Sequence, residues 1–145
     1  MTLRLLTLSL LFPIPLLQIP AALADSSATE QRQQLYSEID DQSEQLETLI
    51  LDQQWQQAIP IANALVYKAD LLHPLFPLSS RGEGRANDAV WNEWPQFSDR
   101  LNRLSRGFAG VAYAIEQQDY RAAEQSLEQA TSLCRSCHID YRSLW

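Results

Sequence analysis

The side chains best equipped for chemistry stand together near the end of the chain, in the run Cys134-Arg135-Ser136-Cys137-His138. On a helix, positions i, i+3 and i+4 share one face, so both thiols and the imidazole project toward a common object. Cys-x-x-Cys-His is the pattern of covalent haem attachment. Each thiol adds to one vinyl group, and the histidine beside the second thioether reaches the iron. The expected cofactor is one haem c per chain, with Cys134 and Cys137 as its thioether anchors and His138 as the axial iron ligand. The second imidazole nitrogen then donates to a carbonyl, carboxylate or water, which fixes the tautomer. Two other chemistries compete. A redox or structural disulfide would leave a haem-free helical module, and a redox Cys-x-x-Cys expects a βαβ setting that this chain lacks. Zinc wants four ligands, and the chain holds only one further histidine, His73, to add to the three at the motif.

Positioning three groups on one face requires a helix, and the rest of the chain is written for helices. Gln, Glu, Ala, Leu and Arg dominate, all good helix formers, and no alternating strand pattern of useful length is present. Four stretches carry apolar residues at helical spacing. The first covers about residues 29–51, with Leu35, Tyr36, Ile39, Leu46, Leu49 and Ile50 on one face. The second covers about 55–72, with a seam of Trp55, Ala58, Ala62, Leu65, Ala69 and Leu72, and Pro60 off the seam, where it should kink the first turns or delay the start. The third covers about 95–117, with Phe97, Leu101, Leu104, Phe108, Val111 and Ile115. The fourth covers about 119–141, with Tyr120, Ala123, Leu127, Ala130, Cys134, Cys137 and Tyr141. Such seams suit helices packed about 20° from antiparallel, an all-α antiparallel four-helix bundle with covalently bound haem. Short turns join the first pair and the last pair. Asp52-Gln53-Gln54-Trp55 echoes the Asp119-Tyr120 junction, which reads as shared turn chemistry. The connection 73–94 is long and must cross an end or side of the bundle. Because both cysteines occupy the core register, the haem must lie among the other seams and fill core that alanine-rich seams leave open.

The sixth iron position has no obvious donor. Methionine is a common second ligand in electron-transfer cytochromes, and the only methionine is Met1. His73 sits beside Pro74 at the end of the second helix and reads as an end-cap or surface residue. Lys68, the sole lysine, points away from its seam. The iron is therefore expected to be five-coordinate.

The motif Cys134-x-x-Cys137-His138-x-x-Tyr141-Arg142 close to the C-terminus, together with Arg32-Gln33-x-x-Tyr36, Leu75-Phe76-Pro77 and Trp91…Phe97, resembles the cytochrome c′ family, the four-helix-bundle class II c-type cytochromes. The resemblance spans most of residues 25–145. It implies that Tyr36 lies over the open face of the haem as a steric lid; simple core packing is the alternative role. It also implies propionate or haem-edge contacts for Arg32 and Arg142, with a solvated surface position as the alternative. Arginine suits carboxylates because its fork is bidentate. Nitric oxide and carbon monoxide are the implied ligands, alongside an unidentified redox partner. A homodimer through the first two helices is implied as well. Leu51, Ile59 and Val66 could form it or complete the monomer core. Relatives with a distal methionine are low-spin electron carriers, which leaves dedicated electron transfer through an unrecognised sixth ligand as the rival function. Residues 79–89 match no pattern.

The start of the chain reads as a leader. Arg4 precedes the apolar run 5–17, and Ala22-Leu23-Ala24 is a small-x-small cleavage site, so residues 1–24 are expected to be a signal peptide and the product periplasmic. The run is short of a membrane span and is broken by Pro13, Pro15 and Pro20. Residues 25–145 then form one domain. Without Arg4, 10 basic residues face 18 acidic ones, a net charge of −8, which argues against nucleic acid as a partner. Arg100, Arg103 and Arg106 form a helical stripe that reads as a solvated face. No Ser-His-Asp set, phosphate loop or acid–base carboxylate pair can be singled out, so no enzymatic turnover is expected.

Overall fold

A computed structural model of the chain describes residues 27–143; the expected leader lies outside them. Four long helices carry the structure: α1 (Ala28–Leu51), α2 (Trp55–Leu71), α4 (Trp94–Glu116) and α5 (Tyr120–Tyr141), with the one-turn α3 (Ala89–Asn92) leading into α4. No strand occurs among the described residues; a single antiparallel bridge joins Ala86 to Arg142. Helix α1 packs on α2, α2 on α4, α4 on α5, and α5 returns sparsely to α1. No described helix is long and apolar enough to cross a membrane.

The expected seams are the buried ones. Phe97, Leu101, Leu104, Phe108, Val111 and Ile115 of α4 are all buried, as are Ala58, Ala62, Leu65, Ala69 and Leu72 along α2. Pro60 neither delays α2 nor ends it, for the helix runs from Trp55 through it with the ring exposed. Ser27 closes a capping box on α1: its hydroxyl accepts from Glu30 N and its own N–H donates to the Glu30 carboxylate, satisfying two donors that a helix start leaves open. The echo between the two short turns is structural. Gln53 and Gln118 both adopt φ of 53°. Gln54 N then donates to Leu49 O and Asp119 N to Ala114 O, the same six-to-one closure at both helix ends.

The connection between α2 and α4 is a strap fastened to both sides of the bundle. Two 3-10 turns, His73–Leu75 and Leu78–Ser80, begin it. Its first half is tied to α1 by Arg32, which is only 3% exposed. Arg32 Nη1 donates to Leu75 O and Ser80 Oγ, and Nη2 to Glu83 O. Thr29 Oγ1 donates to the Glu83 carboxylate. Gly84, at φ +67°, passes so close to α1 that a Cβ would lie 2.8 Å from Thr29 Cγ2. The second half is tied to α5: Asn87 N donates to Tyr141 O, Asn87 Nδ2 to Asp140 O, and Ser143 N to Arg85 O. The two bonds from Asn87 occupy carbonyls that the last turn of α5 would otherwise leave unpaired.

Candidate haem site

Where α1 and α5 diverge, a cavity of about 620 Å³ opens between α1, α4, α5 and the strap. Its floor is apolar: Ile39 from α1, Phe76 and Val90 from the strap and α3, Leu101 and Leu104 from α4, Leu133 from α5. Cys134, Cys137 and His138 line one wall, and Tyr36 lies in the same cavity. Tyr36, singled out by resemblance, and the three residues of the distant Cys134-x-x-Cys137-His138 motif therefore meet at one site. The two cysteines are half-buried and His138 is exposed at the rim, so the cavity reaches the bundle interior and opens to solvent at the histidine.

Both cysteines are free thiols. Burial pushes the Cys134 thiol up, with Asp40 adding to it. Burial pushes Cys137 up as well, and the Arg100 guanidinium opposes it. His138 moves the other way: burial lowers it, Arg142 and Arg85 act in the same direction, and Asp40 opposes them. The imidazole is thus held neutral, the form that offers a nitrogen lone pair to a metal. Burial drives the Tyr36 phenol well above its ordinary range, so the side chain is a neutral phenol and not an anionic ligand. A cavity of this size lies within the span of cofactor sites, about 300–1,000 Å³, which are mostly apolar with a few convergent polar groups. Two thiols, a neutral imidazole and an apolar floor are the donor set and surroundings that a thioether-linked haem needs. Among the described residues, no three His, Cys, Asp or Glu side chains are grouped to hold a bare metal ion.

The remaining candidates divide. Arg142 borders the cavity with its side chain exposed. Arg32 also borders it, yet three of its N–H groups are bound to the strap and its guanidinium lies 5.0 Å from the Phe76 ring. In this structure Arg32 acts as a fastener of the strap. His73 does not line the cavity; its Nε2 lies 3.0 Å from Ser98 Oγ and its ring packs edge-on against Trp94. Lys68 leaves its seam, as expected, to pair with Glu38 of α1. The reading of Arg100 as part of a solvated stripe is corrected. Arg103 and Arg106 are exposed, whereas Arg100 lines the cavity and donates to Ser136 O and the Asp140 carboxylate. Asp40 and Arg85, which no motif flagged, line the cavity too. Asp40 lies one turn beyond Tyr36 on the same face of α1, a placement that helical spacing alone could have revealed.

Comparison with known proteins agrees with this geometry. The family model described as cytochrome C′ matches residues 27–142. Solved structures of cytochrome c′ share the fold. The protein from Rubrivivax gelatinosus superposes with a TM-score of 0.71 at 17% identity, covering 80% of this chain and 94% of its own. A nitric oxide complex of a cytochrome c prime variant from Alcaligenes xylosoxidans gives a TM-score of 0.73 at 17% identity over the same shares. No curated protein sequence matches.

Proposed function

Since this chain belongs to the cytochrome c′ family, whose members carry covalently bound haem c, we propose that it is an exported, periplasmic haem protein that binds small neutral gases, nitric oxide and carbon monoxide, at a five-coordinate iron. One observation carries the proposal. Cys134, Cys137, His138 and Tyr36 line a single apolar cavity whose lining includes neither a methionine nor His73. The haem would supply reversible gas binding at iron and a one-electron couple. The chain supplies the rest. Cys134 and Cys137 would hold the ring covalently, His138 would offer its neutral nitrogen to the iron, and Tyr36 would narrow access to the cavity. An apolar cavity admits a neutral diatomic with little loss of hydration and excludes anions, whose burial is costly. Structures of relatives with bound nitric oxide support the choice of ligand.

Dedicated electron transfer would want a stable sixth ligand, and the lining residues offer no strong candidate for one. No residues are assigned to enzymatic turnover. The exposed Leu51 and half-buried Ile59 and Val66 are proposed as a homodimer face. The deciding experiment is an absorption spectrum of the exported protein, oxidised, reduced, and reduced with carbon monoxide. Thioether-linked haem bands, a high-spin ferrous form and a shift with carbon monoxide are expected. Low-spin bands indifferent to carbon monoxide would favour electron transfer, and no haem at all would leave the disulfide module.

A further inference from the structure

We propose that Arg100 is a positioning residue of the haem site: from α4 it clamps the turn of α5 that carries Cys137 and His138, and it holds a fixed positive charge at the cavity wall that favours the ferrous state of a bound haem. The inference rests on the haem reading above. The clamp consists of several grips on one stretch of α5. Arg100 Nη1 donates to Ser136 O at 3.0 Å, inside the attachment motif itself. Nη2 donates to the Asp140 carboxylate. The guanidinium lies 5.0 Å from the ring centre of Tyr141, which is buried and stacks edge-on against Phe97 one turn earlier on α4. Every contact falls within residues 136–141, on both sides of Cys137 and His138. A planar fork can serve a carbonyl and a carboxylate at once while lying over an aromatic face, and a lysine ammonium cannot.

The electrostatic consequence follows from placement. Reduction adds one electron to the iron, so a neighbouring cation stabilises the reduced form and a neighbouring anion the oxidised one. Arg100 lines the cavity, whereas its partner Asp140 is exposed and does not line it. The guanidinium therefore acts from nearer and through less water than the carboxylate.

The test is a potentiometric titration of the haem-loaded wild type and of R100Q, D140N and R100K, each with haem content and thermal midpoint recorded. R100Q should lower the midpoint potential, cutting the ferrous-to-ferric ratio at fixed poise by about three- to tenfold, or roughly 30–60 mV at about 59 mV per tenfold. D140N breaks the same tie between α4 and α5 but removes the opposite charge, and should raise the potential by a smaller amount. R100K keeps the charge and loses the fork, so its potential should stay near wild type while its thermal midpoint falls. A loosened turn without a charge effect would move R100Q and D140N in the same direction, and that result would overturn the inference. If R100Q loads no haem, the opposite-sign shift of D140N decides. Wild-type protein without covalent haem would overturn both readings; loaded wild type with an unchanged R100Q potential would overturn this one alone.

Discussion

At the scale of single residues, the site depends on side chains held in one protonation state. Tyr36 is the clearest case. Burial favours the protonated phenol, so the side chain adds to folding stability below the ordinary tyrosine pKa of about 10, and that contribution is lost as the pH rises past it toward the raised value in the folded protein. In the lid role proposed for Tyr36, a neutral ring would act by bulk. Tyr36→Ala should therefore speed carbon monoxide association with the ferrous protein by about tenfold or more, equivalent to removing about 1.4 kcal/mol of barrier. Tyr36→Phe should stay within about twofold of wild type, since it keeps the ring and loses only the hydroxyl. Stopped-flow mixing with carbon monoxide measures both. Equal acceleration by Phe and Ala would assign the restriction to the hydroxyl instead. Nothing comparable is asked of His73: with its Nε2 beside Ser98 Oγ and its ring against Trp94, His73→Asn should leave the absorption spectrum of the loaded protein unchanged.

At the scale of elements, the helices were legible in the sequence and the strap was not. A seam of apolar residues at three- and four-residue steps states which face is buried, because burial is what such spacing achieves; α4 buries its whole seam, and α2 and α5 bury theirs except for the half-buried Trp55, Tyr120, Cys134 and Cys137. The thiols fall in the α5 seam, so their meeting with Tyr36 was legible as well. Arg32 and Arg100 were not, and for one reason. Their principal acceptors are backbone carbonyls, Leu75 O and Glu83 O for Arg32 and Ser136 O for Arg100, and every residue offers a carbonyl, so no side-chain pattern announces the partner. Arg32→Ala would strand these acceptors and the Ser80 hydroxyl beside the cavity. It should lower stability by about 2–4 kcal/mol, given about 1–3 kcal/mol for each buried polar group left unpaired and some relief from water. Denaturant titration reads the loss, and faster proteolysis within residues 78–88 should accompany it. The two short turns make the opposite prediction. Gln53 and Gln118 are exposed and held at positive φ, where a side chain costs about 1–2 kcal/mol and glycine costs chain entropy of about 0.4–1 kcal/mol. Gln53→Gly and Gln118→Gly should each stabilise the fold by about 0.5–1 kcal/mol, seen as a higher denaturant midpoint at unchanged slope.

At the scale of the whole molecule, the cavity and the fold are one problem. An apolar void costs about 24 cal/mol per Å³ where nothing fills it. At about 620 Å³ the upper bound is comparable to the entire stability of an ordinary domain, about 5–15 kcal/mol. Water entering at the exposed His138 rim relieves part of that cost, but Ile39, Phe76, Val90, Leu101 and Leu104 would then face water in place of a partner. The strap ties to α1 through Arg32 and to α5 through Asn87, and α5 is pinned to α4 by Arg100. The group that fills the cavity is accordingly part of the hydrophobic core, and a group bound only to the folded state adds its binding free energy to folding. The double variant Cys134→Ala/Cys137→Ala, which removes both covalent anchors without any cost in helix propensity, should unfold at least several kcal/mol more easily than loaded wild type, with a broadened thermal transition followed by far-ultraviolet circular dichroism. Keeping α4 seated on α2 while α1 and α5 loosen would place the first opening at the cavity, so hydrogen exchange in the variant should be fastest in residues 131–141 and 32–43. Equal melting of the two proteins would mean that the bundle supports its own cavity and that the haem is an addition to a finished fold.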